Sequence, residues 1–201
     1  ILRCDIALII SKYEMTLLTE RFNVNPDLLH YLPFMVDLAA LPTVTKSFEE
    51  RQHFMTIGNF RHAPNWDAVL YLQTIWPLIR KQLPEAELHI YGSYPPPKAT
   101  ALNNPKTGFL IKGWAEGAYM VIESARVSLA PLRFGAGLKG KLLDAMVVQT
   151  PSVTTSIGAE GMTVPDAPWP GTVADDIESF AGAAVKLYQD KAAWESAKSH
   201  A

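Results

Sequence analysis

The strongest constraint in this sequence is an alternation. Short apolar runs of strand length are separated by longer stretches whose apolar residues recur every three or four positions. Phe54 to Ile57 reads as a buried strand ending at Gly58. Residues 65–83 then carry Trp66, Val69, Leu70, Gln73, Trp76, Ile79 and Leu83 along one helical face, with Asn65 as the cap and Pro84 as the stop. Glu87 to Tyr91 is the next strand and Gly108 to Ile111 the third. A helical stretch around 116–124 precedes a fourth strand, Val127 to Leu132. Leu138, Leu142, Ala145 and Met146 share a helix, and Ser152 to Thr155 and Gly171 to Ala174 are further strands. Asp175 and Asp176 cap a helix bearing Ile177, Phe180, Ala184 and Leu187. Strand, helix and strand in this rhythm build βαβ units with right-handed crossovers, so the class is α/β with a parallel sheet.

The first fifty residues depart from that rhythm. Asp5 to Ser11 is a strand, 12–22 a short amphipathic helix, and Tyr31 to Val36 a strand around Pro33. A polar, Pro-bearing connector runs from Leu41 to Arg51. The division expected is 1–37, 38–52 as linker, and 53–201 as one complete domain. At 201 residues the chain has room for such a domain plus part of another. It opens on Ile1 rather than Met and reads as a piece of something longer. Eighteen Lys and Arg against 20 Asp and Glu exclude a globally basic nucleic-acid binder. One cysteine, Cys4, excludes a disulfide framework. His30, His53, His89 and His200 are scattered without metal-ligand spacing.

Ligands of open α/β sheets sit beyond the C-terminal ends of the strands, so the loops there hold the candidates. The richest is Arg133-Phe-Gly135-Ala136-Gly137-Leu-Lys139-Gly-Lys141, followed by an amphipathic helix. Glycines let backbone approach an anion, and a helix N-terminus offers free N–H groups with a positive dipole end. Between Ser124 and Leu143 stand four cations (Arg126, Arg133, Lys139, Lys141) and no acid, which places positive charge at one strand end. The expected partner is a phosphate or diphosphate. Without a ligand, the same lysines are solvated surface cations, Gly135 and Gly137 serve a tight turn, and Asp144 is an exposed helical carboxylate. His62 is then an exposed loop histidine, and Glu160 caps a turn.

Gly135 to Gly140 fits the dinucleotide pattern G-x-G-x-x-G, but it follows several βα units instead of opening the domain. Gly135-x4-Gly140-Lys141 nearly makes a phosphate-binding P-loop, yet Leu142 stands where a hydroxyl should meet magnesium. A third reading joins distant segments: Ile57-Gly58-Asn59-Phe60, Pro64-Asn65-Trp66-Asp67, Leu88 to Gly92, Ile111 to Trp114, Ala130 to Met146 and Thr155 to Met162. This ordered series resembles the C-terminal, donor-binding domain of GT-B glycosyltransferases of family 4, the group 1 glycosyl transferases. Cys4 to Glu14 and Leu32 to Asp37 resemble the last strand of such an enzyme's N-terminal domain and the connector after it.

The resemblance implies a Rossmann-like parallel sheet with helices on both faces, the C-terminal half of a GT-B fold. It implies a retaining transfer from a nucleoside-diphosphate sugar, with Gly58, Asn59, Gly113, Trp114, Arg133, Gly135, Ala136, Gly137, Lys139, Lys141, Asp144 and Glu160 around the donor. Asp144 stands for the family's ribose-binding Glu, and Asn59 for an Arg at the diphosphate. Lys139 and Lys141, with Arg133, then hold most of the diphosphate charge. No metal or other cofactor is expected, because the loop offers a cation one carboxylate. The catalytic histidine and the glycan, lipid or small-molecule acceptor belong to the N-terminal domain. The location expected is cytoplasmic, with peripheral membrane attachment open to the full-length protein. A GT-B sugar-nucleotide epimerase and a non-catalytic interaction module are the alternatives.

Overall fold

The computed structural model describes residues 3–36, 41–164 and 166–201. The start of the expected linker, residues 38–40, therefore lies outside the described residues, as does the Asp37 end of the first segment.

β1 (Ala7–Ile9) and β2 (Leu29–Tyr31) form a two-stranded parallel sheet, joined by α1 (Lys12–Phe22). Ser11 caps that helix by accepting the Glu14 N–H. The strand expected at 31–36 ends at Tyr31: Pro33 has no N–H to give a ladder, and residues 32–36 form no regular element.

The main sheet has six strands, all parallel. Its elements in chain order are β3 (Gln52–Ile57), α2 (Ala63–Gln82), β4 (Leu88–Tyr91), α3 (Pro97–Thr100), β5 (Phe109–Gly113), α4 (Ala118–Ser124) and β6 (Ala125–Ala130). There follow α5 (Gly140–Val147), β7 (Ser152–Thr154), α6 (Ser156–Ala159), β8 (Gly171–Val173), α7 (Ile177–Gln189) and α8 (Lys191–Lys198). The spatial order β5-β4-β3-β6-β7-β8 reverses direction between β3 and β6. That reversal is the switch point where doubly wound sheets open a crevice. The α/β, Rossmann-like reading of the sequence is what the chain builds.

Successive residues of β3 serve opposite faces, as the strand period requires. Phe54 packs edge-on to Trp76 of α2 and stacks on Tyr188 of α7. Met55 instead joins Ile122 of α4, Ala145 of α5, and Val148. Each such fully buried side chain contributes about 1.5–3 kcal/mol. In α2 the buried stripe is Ala68, Val69, Leu72, Ile75, Trp76 and Ile79, whereas Leu70, placed on that face from sequence, is exposed. Leu138 precedes α5 instead of lying within it.

Two arginines tie the segment before β3 to the rest of the main sheet. Arg51 is fully buried; its guanidinium donates to the carbonyls of Lys46 and Val148 and to the Thr150 hydroxyl. Burial pulls it down to about 10, still fully charged at neutral pH. Arg126 corrects the expected cation cluster. It lies at the start of β6, the end opposite the loop, and donates to the carbonyls of Arg51 and Tyr188. Proximity in sequence groups it with the lysines, but the length of β6 separates it from them, at the opposite end of the strand.

Candidate functional site: a pocket at the switch point

The β3–α2 loop and the β6–α5 loop leave the C-terminal ends of the two central strands side by side. Between them lies a cavity of about 320 Å³, lined on one side by Ile57, Gly58, His62, Pro64 and Asn65, and on the other by residues from Leu132 to Asp144. The end of β6 is anchored before it enters the loop, because the hydroxyls of Thr154 and Thr155 donate to the carbonyls of Ala130 and Leu132. Gly135 (φ 135°) and Gly137 (φ 72°) then turn the chain in conformations that side-chain-bearing residues rarely adopt. Gly140 and Lys141 open α5, whose cap residue, Lys139, makes no side-chain capping bond. The first amides of such a helix have no intrahelical acceptor, and together with the dipole they favour an anion.

The two lysines do different work. Lys139 is buried, and its ammonium donates to the Gly137 carbonyl at 2.6 Å, so it clasps its own loop. Burial lowers its proton affinity, opposed by the charges of Glu160 and Glu14. Lys141 donates to the Asn65 side-chain oxygen at 2.7 Å. The residue keeps some surface, but its ammonium sits among groups that exclude water, and burial pulls it down to about 8. Asp144 lines the same pocket, and burial raises its carboxyl above the usual range. Lys139, Lys141, Asp144 and His62 are the ionisable side chains that line the pocket.

Of the residues singled out from sequence, Gly58, Gly135, Ala136, Lys139, Lys141 and Asp144 line this one cavity. Asn59 adjoins it: its carbonyl accepts from the Asn65 amide, and its side chain accepts the Arg61 N–H. Arg133 points to Asp67, with contacts of 2.5 and 2.9 Å, and lies over the Tyr71 ring. Gly137 gives its N–H to Glu14 at 2.8 Å. Glu160 accepts from the Tyr13 hydroxyl, which holds that phenol above its ordinary value. Gly113 and Trp114 close β5 at one sheet edge, outside the cavity lining, and Trp114 is 73% exposed.

Sequence reasoning missed three participants. Asn65, a helix cap by sequence, stands in the first turn of α2; His62 holds the cap position and makes no side-chain capping bond. Pro64 beside it had carried the signal, since Pro favours the first helical turn. Glu14 and Tyr13 come from α1, and nothing in their spacing points to a loop more than a hundred residues away. Among the described residues no group of three His, Cys, Asp or Glu is placed to hold a metal, and no helix is long and apolar enough to cross a membrane.

A family model described as glycosyl transferases group 1 matches residues 51–190, and the chain belongs to that family. Solved structures share the fold. Anabaena HepE, in complex with UDP and glucose, superposes with a TM-score of 0.74 at 9% identity, over 98% of this chain and 57% of that one. WaaG, a glycosyltransferase involved in lipopolysaccharide biosynthesis, gives 0.73 at 16% identity over 96% of this chain and 56% of that one. Staphylococcus aureus TarM, in a variant bound to fondaparinux, alpha-GlcNAc-glycerol and UDP, gives 0.72 at 14% identity, over 98% of this chain and 40% of its own. The chain thus spans 40 to 57% of these three proteins. No curated protein matches it.

Proposed function

We propose that this chain is the donor-binding half of a retaining, family 4 GT-B glycosyltransferase and that the switch-point cavity receives a nucleoside-diphosphate sugar. The carrying observation is the convergence of the turned glycine loop, the uncapped start of α5, Lys139 and Lys141 on one cavity. Solved relatives of the same fold bind UDP.

Sugar transfer releases a diphosphate, and charge on that leaving group must be stabilised as it develops. Backbone N–H groups and a helix dipole fixed before reaction do this without reorganising. Lys141 adds a point charge, and Lys139 keeps the loop in the shape that presents those amides. The donor set of amides and ammonium groups, with Asp144 as its carboxylate, suits a metal-independent reaction. Asp144 takes the ribose hydroxyls. The acceptor, whether glycan, lipid or small molecule, and the catalytic histidine belong to the N-terminal domain, so this chain alone transfers no sugar. The working location is cytoplasmic.

Titration calorimetry of the chain with UDP, GDP and ADP tests the reading. Weak binding of one of them is expected; no heat with any of the three removes the donor site. A non-catalytic module draws its support from the Glu14 and Asp67 carboxylates, which already engage Gly137 and Arg133, and silence with all three nucleotides is the result it requires.

A further inference from the structure

Lys141 is an inward-facing cation, and its ammonium donates not to a carboxylate but to the neutral amide oxygen of Asn65. That amide is itself fixed. Its nitrogen donates to the Asn59 carbonyl at 3.1 Å, so both ends of one side chain are engaged, one by the β3–α2 loop and one by the first turn of α5. Gly58 makes room for it: a Cβ there would lie 2.6 to 2.8 Å from all three heavy atoms of the amide head group, closer than any real contact allows. Asn is a poor helix interior residue because its amide competes for backbone partners. Here it stands in the first turn of α2 with its amide committed to a chain of contacts running from Asn59 to Lys141.

We propose that Asn65 is a positioning residue that holds the Lys141 ammonium at the cavity while leaving its charge uncancelled for an anionic ligand. The inference rests on the donor-site reading for the identity of that ligand, but the Asn65–Lys141 coupling stands apart from it. An amide and a carboxylate have the same shape. An Asp at 65 would hold the ammonium as well or better, and would cancel its charge against any incoming phosphate. An Ala would leave the charge but release the side chain, which then loses its fixed direction. The remaining titratable groups lining the cavity are His62, Lys139 and Asp144.

Wild type, Asn65→Asp and Asn65→Ala are compared in two ways on the full chain. The first follows the lysine side-chain carbon signals by NMR across alkaline pH, with no ligand present. The second measures affinity for inorganic pyrophosphate and for UDP by calorimetry. Asn65→Asp is expected to raise the Lys141 midpoint by about one unit or more and to cut pyrophosphate affinity about tenfold or more. Asn65→Ala should lower the midpoint and weaken pyrophosphate binding less than the Asp variant does. A purely structural role would alter thermal stability and leave the Lys141 midpoint in place. An unmoved midpoint in a folded Asp or Ala variant overturns the proposal, as does undiminished pyrophosphate affinity in the Asp variant. Should the Asp variant not fold, the Ala arm decides. A wild type that binds pyrophosphate but no nucleotide, with the midpoint shifts present, removes the donor reading and sustains Asn65 as the positioning residue.

Discussion

The carboxylate of Glu14 accepts the N–H of Gly137 at 2.8 Å, so an acid from α1 rests on the backbone that a donor phosphate would approach. On the proposed donor reading it is both a plug and a like charge. Glu14→Gln keeps an acceptor of the same shape and removes the repulsion. The variant should bind UDP, GDP or ADP roughly fivefold more tightly than wild type, equivalent to about 1 kcal/mol for a charge in partly solvated surroundings. Calorimetry at low and high salt checks this, with the gain shrinking as salt rises. Weaker binding in the variant would mean that Glu14 shapes the loop and does not block it.

Lys141 trades stability against binding. Its folded value is about 8, against an unfolded value near 10.4, so the unfolded chain keeps the proton longer. Between those values stability rises with pH, and at neutral pH the buried ammonium is a net cost. Lys141→Met should therefore raise the unfolding free energy at pH 7 by about 1–3 kcal/mol while abolishing measurable nucleotide binding. Wild-type affinity should fall as pH climbs past about 8, where the cation discharges. Arg133→Ala, removing a group already engaged by Asp67, should reduce affinity less than Lys141→Ala does. Urea titrations and calorimetry on the three variants separate these outcomes.

Arg51 carries the opposite expectation. Its guanidinium is fully buried, bonded to two carbonyls and a hydroxyl, and lies 5.2 Å from the centre of the Trp194 ring. Arg51→Ala strands those acceptors and opens a cavity, so a loss of roughly 3–5 kcal/mol is expected in urea unfolding. A change under about 1 kcal/mol would show that water replaces the guanidinium without cost.

The histidines set the acid limb. His53 and His89, read from sequence as scattered, stack with ring centroids 3.8 Å apart on neighbouring strands β3 and β4. Burial pushes His53 down to about 3 and lowers His89 as well, while Glu87 supports the charged form of His89. Both are neutral in the folded protein and take up protons when it unfolds. The contribution of His53 is thus complete above about pH 6.5 and is lost as pH falls toward about 3; that of His89 is lost in the same direction. His53 has φ 48°, a conformation that Asn tolerates, so His53→Asn keeps the backbone. The variant should lose stability less steeply than wild type between those limits, measured by urea midpoints at stepped pH. Parallel slopes would contradict the assignment.

What could be read from sequence, and what could not, divides along a physical line. Strand and helix periods depend on neighbours a few residues apart, so the alternation from Phe54 to Leu187 was legible, and with it the parallel sheet. The glycine loop was legible too, because Gly135, Gly137, Lys139 and Lys141 are close in sequence. Contacts between loops were not. Asn65 pairs with Lys141 only because the crossovers lay β3 beside β6, and Glu14 reaches Gly137 from α1, which joins the strands of a separate two-stranded sheet. Arg126 failed the other way: near the lysines in sequence, it is a strand's length from them in space.

The pairing of β3 with β6 has one more consequence. These strands meet only after a crossover of about seventy residues has closed, as the Arg126 bond to Arg51 across 75 positions illustrates. Contacts of such long range form late and slowly in folding. Both walls of the cavity hang from that pair, so no partly assembled chain can present them together. Ligand capture during refolding would act as a stopwatch, starting only when the central seam of the sheet has closed.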